Sequence, residues 1–424
     1  MSRRYAPLAI ALLTVVLLAS GCARPAAPVS RTPSVAPTAT PPPPSLAIAP
    51  AHPVVWTKHQ IPPALNLTGC YLECPAISQS DGATAYLCNL ANGQAQVWVT
   101  YDRATHWTMA GSVPVTSNLT ECYIAVDALQ PRQALLRTYK SVCCAAVSYE
   151  GLNYLTTDGG VTWTPRDAPA EETPIFSNLA SVGGVSYALA DTITRSACSG
   201  CYSALYRSKD GMRTWTRADA DIFLIKGGRT ERYVSWFWLG SSGELLAQVQ
   251  HNNPGSTYEL WRSDDQGAHW SQIDMGRSGM ADPGWIDPGG IIVADGQNQR
   301  FWRACAAYQK SGDRTHPPVQ QISCTLDGGA TWLDTGGDNS YHVNAFAQAS
   351  GGALLAVTPN PFHDESPTKL LRVTPGQSAW ESLGALPVRD APPAPYTAAG
   401  TLWLLKRPPN YGEAVTTVYT ATYP

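Results

Sequence analysis

The stretch Thr156-Thr157-Asp158-Gly159-Gly160-Val161-Thr162-Trp163 decides the fold of this chain. Its form is Ser or Thr, any residue, Asp, any residue, Gly, any two residues and Trp. This eight-residue motif returns in full at residues 263–270 and 325–332, and in weaker form at 100–107, 208–215 and 373–380. A motif that recurs along one chain indicates a repeat architecture rather than a series of unrelated domains.

The spacing of the motifs indicates the size of the repeating unit. Their final tryptophans stand roughly 55 residues apart, the length of a four-stranded propeller blade with its loops. Short apolar runs bounded by glycine, such as residues 185–189 and 352–357, are typical of buried strands. The sequence therefore predicts an all-β chain that folds as a single β-propeller.

The two chain ends predict how the propeller is completed. Residues 54–57 resemble the strand that follows a motif but have no strands before them. The predicted strands at 400–405 and 415–420 have no such strand after them. We therefore expect seven four-stranded blades, closed by the N-terminal strand joining the C-terminal blade.

Within each motif the residue types suit a tight turn rather than chemistry on a substrate. The Asp carboxylate can accept backbone N–H groups, the Gly reaches left-handed backbone angles, and the Trp can pack on a neighbouring strand. We interpret these residues as structural and predict no catalytic residue. The structural set is Asp102, Trp107, Asp158, Gly160, Trp163, Asp210, Trp215, Asp265, Gly267, Trp270, Asp327, Gly329 and Trp332.

These motifs resemble the Asp-box, or BNR, repeats of sialidases, sortilin-like receptors, xyloglucanases and photosystem II assembly factors. The resemblance covers residues 53–424 and implies a propeller, but unrelated functions share this repeat. The Arg-Ile-Pro motif of sialidases is absent from that region. Other glycosidases use a carboxylate pair. Asp282, Asp287, Asp364 and Glu365 could supply one, although nothing in the sequence pairs them.

The N-terminal region predicts export and lipid anchoring. Arg3 and Arg4 precede an apolar run that is too short to span a bilayer comfortably. Residues 18–22, Leu-Ala-Ser-Gly-Cys, resemble a bacterial lipobox; an ordinary cleaved signal peptide is the alternative. We predict a lipoprotein signal peptide at 1–21, a lipidated Cys22 with a Pro/Ala/Ser/Thr-rich tether at 22–52, and the propeller at 53–424. The protein is then expected on the extracytoplasmic side of the cell membrane.

Ten further cysteines follow Cys22 among the 11 of the chain, and an oxidising compartment favours disulfides between them. We predict the pairs Cys198–Cys201, Cys305–Cys324 and Cys74–Cys88, each on one turn or on neighbouring strands. A redox or metal role for the Cys198–Cys201 spacing is the alternative, although we expect neither a metal nor a cofactor. The pairing of Cys70, Cys122, Cys143 and Cys144 stays open.

The expected partner is a ligand on the face opposite the motifs. The net charge of −3 and the absence of a basic run do not favour nucleic acid. The predicted function is non-catalytic binding or assembly of a glycan or protein by a monomer; a sialidase-like or endo-glucanase-like glycoside hydrolase is the alternative. Candidate residues on that face are Arg229, Arg232, His251, Arg314, His316, His363, Asp364 and Glu365.

Overall fold

The computed structural model describes much of the region 53–423. The described residues are 53–63, 65, 76–78, 80–115, 121–139, 151–166, 175–193, 201–226, 229–240, 243–251, 258–273, 291–294, 303–310, 319–325, 331, 333–335, 345–348, 353–358, 369–374, 376–388, 396–398, 400–405 and 417–423. The chain divides into two compact units, Met1–Pro42 and Pro43–Pro424, and all described residues belong to the second.

Every regular element among the described residues is a β-strand. The strands are β1 (Thr57–Gln60), β2 (Ala76–Ile77), β3 (Ala85–Ala91), β4 (Gln94–Thr100), β5 (Thr108–Pro114), β6 (Glu121–Val126), β7 (Ala134–Tyr139), β8 (Gly151–Thr156), β9 (Thr164–Arg166), β10 (Ile175–Val182), β11 (Val185–Ile193), β12 (Cys201–Ser208), β13 (Thr216–Arg217), β14 (Leu224–Lys226), β15 (Arg229–Leu239), β16 (Leu245–His251), β17 (Tyr258–Ser263), β18 (Ser271–Gln272), β19 (Ile291–Ala294), β20 (Arg303–Lys310), β21 (Val319–Thr325), β22 (Leu333–Thr335), β23 (Ala345–Gln348), β24 (Leu354–Thr358), β25 (Lys369–Val373), β26 (Glu381–Ala385), β27 (Tyr396–Ala398), β28 (Thr401–Leu405) and β29 (Thr417–Thr422).

These strands form antiparallel sheets of a single all-β propeller. We number the sheets in chain order, from β2–β5 as sheet one and β6–β9 as sheet two to β23–β26 as sheet six, with β27–β29 and β1 as sheet seven. The prediction of seven four-stranded blades is wrong. Six sheets of the described residues have four strands, whereas sheet four has five, β14 to β18.

The additional strand of sheet four arises from a local hairpin. Leu224, Ile225 and Lys226 of β14 pair with Arg232, Thr230 and Arg229 of β15. Arg229 and Arg232, which we predicted on the ligand face, therefore lie in a strand pair.

One strand comes from the N-terminal side of the propeller region. β1 pairs antiparallel with β29, with Thr57 opposite Thr420 and Gln60 opposite Thr417. The Nε2 atom of His59 on β1 lies 2.8 Å from the Oγ1 of Thr420. Sheet seven is therefore built from both ends of the described chain.

The core lies between neighbouring sheets, and so the middle strands are buried on both faces. Leu87 of β3 packs in one cluster with Trp403 of β28 and Val418 of β29. Leu205 of β12 packs in another with Val249 of β16. Buried side chains therefore follow one another along these strands instead of alternating with exposed ones, as along β16 from Leu245 to Val249.

A disulfide links sheets one and two and corrects one predicted pair. Cys88 on β3 is bonded to Cys122 on β6, so the expected Cys88–Cys74 bond is wrong. We had paired cysteines within one blade, whereas these two meet across the packed interface between sheets. Cys305 and Cys324 are register partners on β20 and β21, and their bond stays a prediction. Cys74 and Cys198 lie outside the described residues.

Within the described residues there is no helix long and apolar enough to cross a membrane.

Candidate functional site

The two ends of each sheet differ. We call the end where the third strand stops and the fourth begins the motif end, since the eight-residue motif connects these strands. The opposite end contains the turn between the second and third strands. In sheet four, β16 ends at His251 and β17 begins at Tyr258 at this opposite end, whereas residues 263–270 form the motif.

A cluster of polar and aromatic side chains lies at this opposite end of sheet four. Its members are Arg232 on β15, His251 on β16, and Glu259 and Trp261 on β17. Arg232 is the register partner of His251, and Glu259 and Trp261 are the partners of Val249 and Ala247. Because alternate residues of a strand share a face, register places all four side chains on one face of the sheet. We call these four residues the Arg232 cluster.

Arg232 is held by its surroundings in one orientation. Its Nε donates a 2.6 Å hydrogen bond to the carbonyl oxygen of Ile222, and its Nη2 donates a 3.2 Å bond to that of Asp221. Its guanidinium carbon lies 4.8 Å from the centroid of the Trp261 ring. A guanidinium stacked on an indole is stabilised by a cation–π interaction and is fixed in plane.

Glu259 joins the other two members of the cluster. Its Oε2 accepts a 2.7 Å hydrogen bond from the Nε1 of Trp261. Its Oε1 lies 3.0 Å from the Nε2 of His251, and both side chains are about one-fifth exposed, at 21% and 22%. The carboxylate therefore orients the indole, and the imidazole lies beside it at a partly solvent-accessible position.

The segment between sheets three and four holds Arg232 of the cluster through its backbone carbonyl groups. Asp219 is fully buried and accepts a hydrogen bond from the backbone N–H of Leu205, while Arg217 donates a 3.0 Å bond to its carboxylate. Burial raises the pKa of Asp219, and the charge of Arg217 acts against that rise. The guanidinium of Arg217 also lies 4.0 Å from the ring centroid of Phe223. These contacts fix the segment whose carbonyl groups hold Arg232.

The structure brings together two of the predicted ligand-face residues and leaves most of the others outside its description. Arg232 and His251 are neighbours across the β15–β16 pair, and Arg229 lies three residues before Arg232 on β15. The remaining predicted residues, Arg314, His316, His363, Asp364 and Glu365, lie outside the described residues, as do Asp282 and Asp287.

Sequence reasoning missed Glu259 and Trp261. A signal was present in the run Tyr258-Glu259-Leu260-Trp261. In a strand, Glu259 and Trp261 point to the same face, and Leu260 points to the other. We interpreted this run only as a strand that enters a motif. A Glu on the same strand face as a Trp that is expected in the core indicates a functional site or a buried polar group.

The motifs share one hydrogen-bond pattern at the other end of the sheets. In the motif of sheet two, the Thr156 hydroxyl donates to Asp158 at 2.8 Å and accepts the Gly160 N–H at 2.8 Å. The Asp158 carboxylate accepts the Thr162 N–H at 3.0 Å. The motifs that begin at Thr100, Ser208 and Ser263 repeat these contacts. These Asp carboxylates thus bind the backbone of their own turns.

The motif tryptophans differ in the contacts they make. The Nε1 of Trp163 donates to the carbonyl oxygen of Gly160 in its own motif, whereas that of Trp270 donates to Ala218 in the segment after β13. Trp107 and Trp215 are partly buried and pack against apolar clusters. Asp327, Gly329 and Trp332 of the fifth motif lie outside the described residues.

Among the described residues, no group of three or more His, Cys, Asp or Glu side chains is placed to hold a metal ion.

The protein resembles known proteins in its structure but not detectably in its sequence. No protein-family model matches the chain, and no curated protein sequence matches it. The structure "YCF48 bound to D1 peptide" is 13% identical, with a TM-score of 0.49, over 88% of this chain and 100% of that chain. The polysaccharide lyase Uly1 is 9% identical, with a TM-score of 0.49, over 88% and 99%. The Trypanosoma rangeli sialidase is 14% identical, with a TM-score of 0.38, over 78% and 60%. At this similarity the neighbours assign neither a ligand nor an activity to this chain.

Proposed function

We propose that the protein is a surface-anchored, non-catalytic propeller that binds a glycan or protein ligand through the Arg232 cluster. The observation that carries this proposal is the guanidinium of Arg232 stacked on Trp261 beside the paired His251 and Glu259. Of these groups, Arg232 supplies charge and planar hydrogen-bond donors, and Trp261 supplies a flat apolar surface. Arginine and aromatic residues together are typical anchors of binding surfaces.

The bonding of Glu259 favours binding over hydrolysis. Most glycoside hydrolases use two carboxyl groups that flank the scissile bond, whereas sialidases use a Tyr nucleophile. The cluster contains one carboxylate; its Oε2 accepts the Trp261 N–H, and its Oε1 lies near the His251 ring. A carboxylate that accepts the indole N–H, with no second carboxylate in the cluster, is better suited to positioning Trp261 than to a two-carboxylate reaction.

The chemistry of the cluster favours an acidic group on the ligand. Arg232 uses Nε and Nη2 for the carbonyl oxygens of Ile222 and Asp221. Its Nη1 makes no hydrogen bond within the described residues, and a fixed guanidinium is well suited to a carboxylate, sulfate or phosphate group. We therefore expect the ligand to present an anion next to a ring or apolar group that can contact Trp261.

The location of the protein is part of the same proposal. We propose that Cys22 carries lipid and that residues 22–52 tether the propeller outside the cytoplasm, as the lipobox-like Leu-Ala-Ser-Gly-Cys run indicates. Mass spectrometry of the purified N-terminal peptide tests this point directly. A Cys22 without acyl chains would contradict it.

The binding proposal is tested by screening the full-length protein in detergent against arrays of acidic glycans, neutral glycans and peptides. The informative variants are Arg232→Lys, which keeps the charge but loses the planar stack, and Trp261→Leu. Arg262→Lys is the matched control, because Arg262 lies next to Trp261 on β17 and pairs with Asp264 at 2.7 Å, away from the cluster. Loss of an interface anchor of this kind weakens binding by roughly 30-fold or more.

Two results would reject the proposal. Unchanged affinity in both Arg232→Lys and Trp261→Leu would show that the ligand binds elsewhere. Release of a sugar product from any bound glycan by the wild-type protein would show that the propeller is an enzyme.

A further inference from the structure

The large exposed apolar side chains are distributed unevenly between the two ends of the sheets. Among the described residues they are Val55, Tyr101, Met109, Leu152, Val161, Leu224 and Leu333. Leu152, near the start of β8, and Leu224, on β14, lie towards the end opposite the motifs. The other five lie within a motif or beside the motif end of a fourth strand. Scattered exposed apolar residues are ordinary, but their concentration at one end of a protein indicates a contact surface.

Four of these side chains lie on three neighbouring sheets. Val55, which is 82% exposed, precedes β1 in sheet seven. Tyr101 and Met109 flank the motif of sheet one at 45% and 55%, and Val161 belongs to the motif of sheet two at 64%. We call these four residues the apolar arc.

Hydrogen bonds and close approaches join the three sheets that carry the arc. Trp403 of sheet seven donates a 3.0 Å hydrogen bond to the Gly82 carbonyl of sheet one. The Tyr101 hydroxyl donates a 3.1 Å bond to the Gly159 carbonyl in the motif of sheet two. A Cβ added to Gly111, two residues after Met109, would lie 3.2 Å from the Val161 carbonyl oxygen. Arg132 adds a cation, with its guanidinium 5.8 Å from the Tyr101 ring centroid.

The N-terminal segment reaches the propeller at this same end. β1 is the fourth strand of sheet seven, so the residues that precede Thr57 approach it from the motif end. The Val54 N–H bonds to the Leu383 carbonyl at 2.9 Å, which fixes where this segment joins sheet six. A tether that runs from a lipidated Cys22 to Pro53 therefore attaches beside the apolar arc, not beside the Arg232 cluster.

We propose that the apolar arc rests on the surface of the lipid bilayer that anchors the protein. Tyr101 lies at the level of the headgroups, Met109, Val55 and Val161 contact the acyl boundary, and Arg132 pairs with anionic headgroups. This inference rests on the lipid anchor of the proposed function. Tethering raises the local concentration of the arc at the membrane, so even a weak contact is populated. The Arg232 cluster, at the opposite end, then faces away from the membrane, towards its ligand.

The test uses the full-length lipidated protein in phosphatidylethanolamine vesicles containing phosphatidylglycerol. A protease site is placed in the tether, within residues 30–45, and the vesicles are floated before and after cleavage. The test variant is Met109→Asp combined with Val161→Asp. The matched control is Leu152→Asp combined with Leu224→Asp, which adds the same charges at the opposite end. Hydroxyl-radical oxidation of Met109 in the wild type gives a second readout that requires no substitution.

We expect the cleaved wild-type propeller to float in part with the vesicles, and the control variant to behave in the same way. The vesicle partition coefficient of the Met109/Val161 variant should be lower by about tenfold or more, because two apolar side chains that would be buried in the membrane are replaced by charged ones. Met109 oxidation should rise when the domain is released.

Complete release of the wild type on cleavage, with equal Met109 oxidation before and after, would overturn the inference. Ligand binding measured on the released domain would be untouched by that result, so it would leave the binding proposal standing. If the protein does not float with the vesicles before cleavage, the lipid anchor is contradicted, and this inference is contradicted with it.

Discussion

The Nε1 of Trp270 donates a 2.7 Å hydrogen bond to the carbonyl oxygen of Ala218, which connects the motif of sheet four to the segment that follows β13 in sheet three. Gly267 of the same motif approaches this residue closely. A Cβ on Gly267 would lie 2.9 Å from both the Cβ and the carbonyl oxygen of Ala218. The motif is therefore a packing contact between sheets as well as a turn within one sheet.

Gly267→Ala should destabilise the protein more than Gly183→Ala. Both glycines have positive φ, +80° and +57°, but only Gly267 has neighbours within 4 Å of an added Cβ. We expect Gly183→Ala to lower the free energy of unfolding by about 1 kcal/mol through left-handed strain alone. Gly267→Ala should lower it by about 2–4 kcal/mol, because overpacking against Ala218 adds to this strain. Urea unfolding with unchanged m-values measures both, and equal losses would contradict the contact.

The motif allowed the repeat to be recognised from sequence because its requirements are local. The left-handed backbone at the Gly position persists even where the residue is Ala104, at φ 63°, or Met212, at φ 65°. The Ser or Thr hydroxyl and the Asp carboxylate fix the turn there without glycine. The fifth strand of sheet four could not be predicted in this way, because β14 is three residues long and is defined only by its pairing with β15.

The candidate site was only half predictable for a related reason. Arg232 and His251 were predicted on the face opposite the motifs, from their place between predicted strands. Their neighbours depend on the register of β15, β16 and β17, which pairs Arg232 with His251 and places Glu259 and Trp261 on the same face. Trp261 is far from Arg232 along the chain, so a local sequence pattern does not predict the contact between their side chains.

Asp158→Asn should weaken the pH dependence of stability in acid. Burial raises the pKa of Asp158, but hydrogen bonds from Thr162 and Thr156 outweigh burial and lower it from 3.8 to about 2. Because the folded-state pKa is depressed, this carboxylate stabilises the fold above about pH 4, and the stabilisation is lost as the pH falls towards 2. Free energies of unfolding measured from pH 2 to 7 should therefore change less with pH in the variant. Parallel curves for the two proteins would contradict this role.

His269→Thr should remove a stability change near neutral pH. The hydrogen bond and charge of Asp265 raise the pKa of His269, whose Nδ1 lies 2.6 Å from the Asp265 Oδ2. A raised pKa means that the charged imidazole stabilises the fold below its ordinary value of 6.5, and this contribution is lost as the pH rises through the folded-state pKa. Thr214, at the same motif position, donates a hydroxyl to Asp210 without titrating near neutrality.

We expect wild type and His269→Thr to converge in stability at alkaline pH and to diverge below neutrality. Denaturant unfolding across this range measures the difference, and NMR titration of the His269 ring gives the folded-state pKa independently. A stability difference that does not vary with pH would exclude the charged pair.

Removal of the disulfide between Cys88 and Cys122 should destabilise the contact of sheets one and two. The bond connects residues 34 apart in sequence. Loss of a crosslink closing a loop of this length costs about 4 kcal/mol of unfolding free energy on the chain-entropy account. The double variant Cys88→Ala/Cys122→Ala should therefore unfold at lower denaturant than the wild type. Non-reducing peptide mapping should find a Cys88–Cys122 peptide in the wild type. A Cys88–Cys74 peptide would instead show that Cys88 is not crosslinked to sheet two, and the contact between the two sheets would then depend on apolar packing.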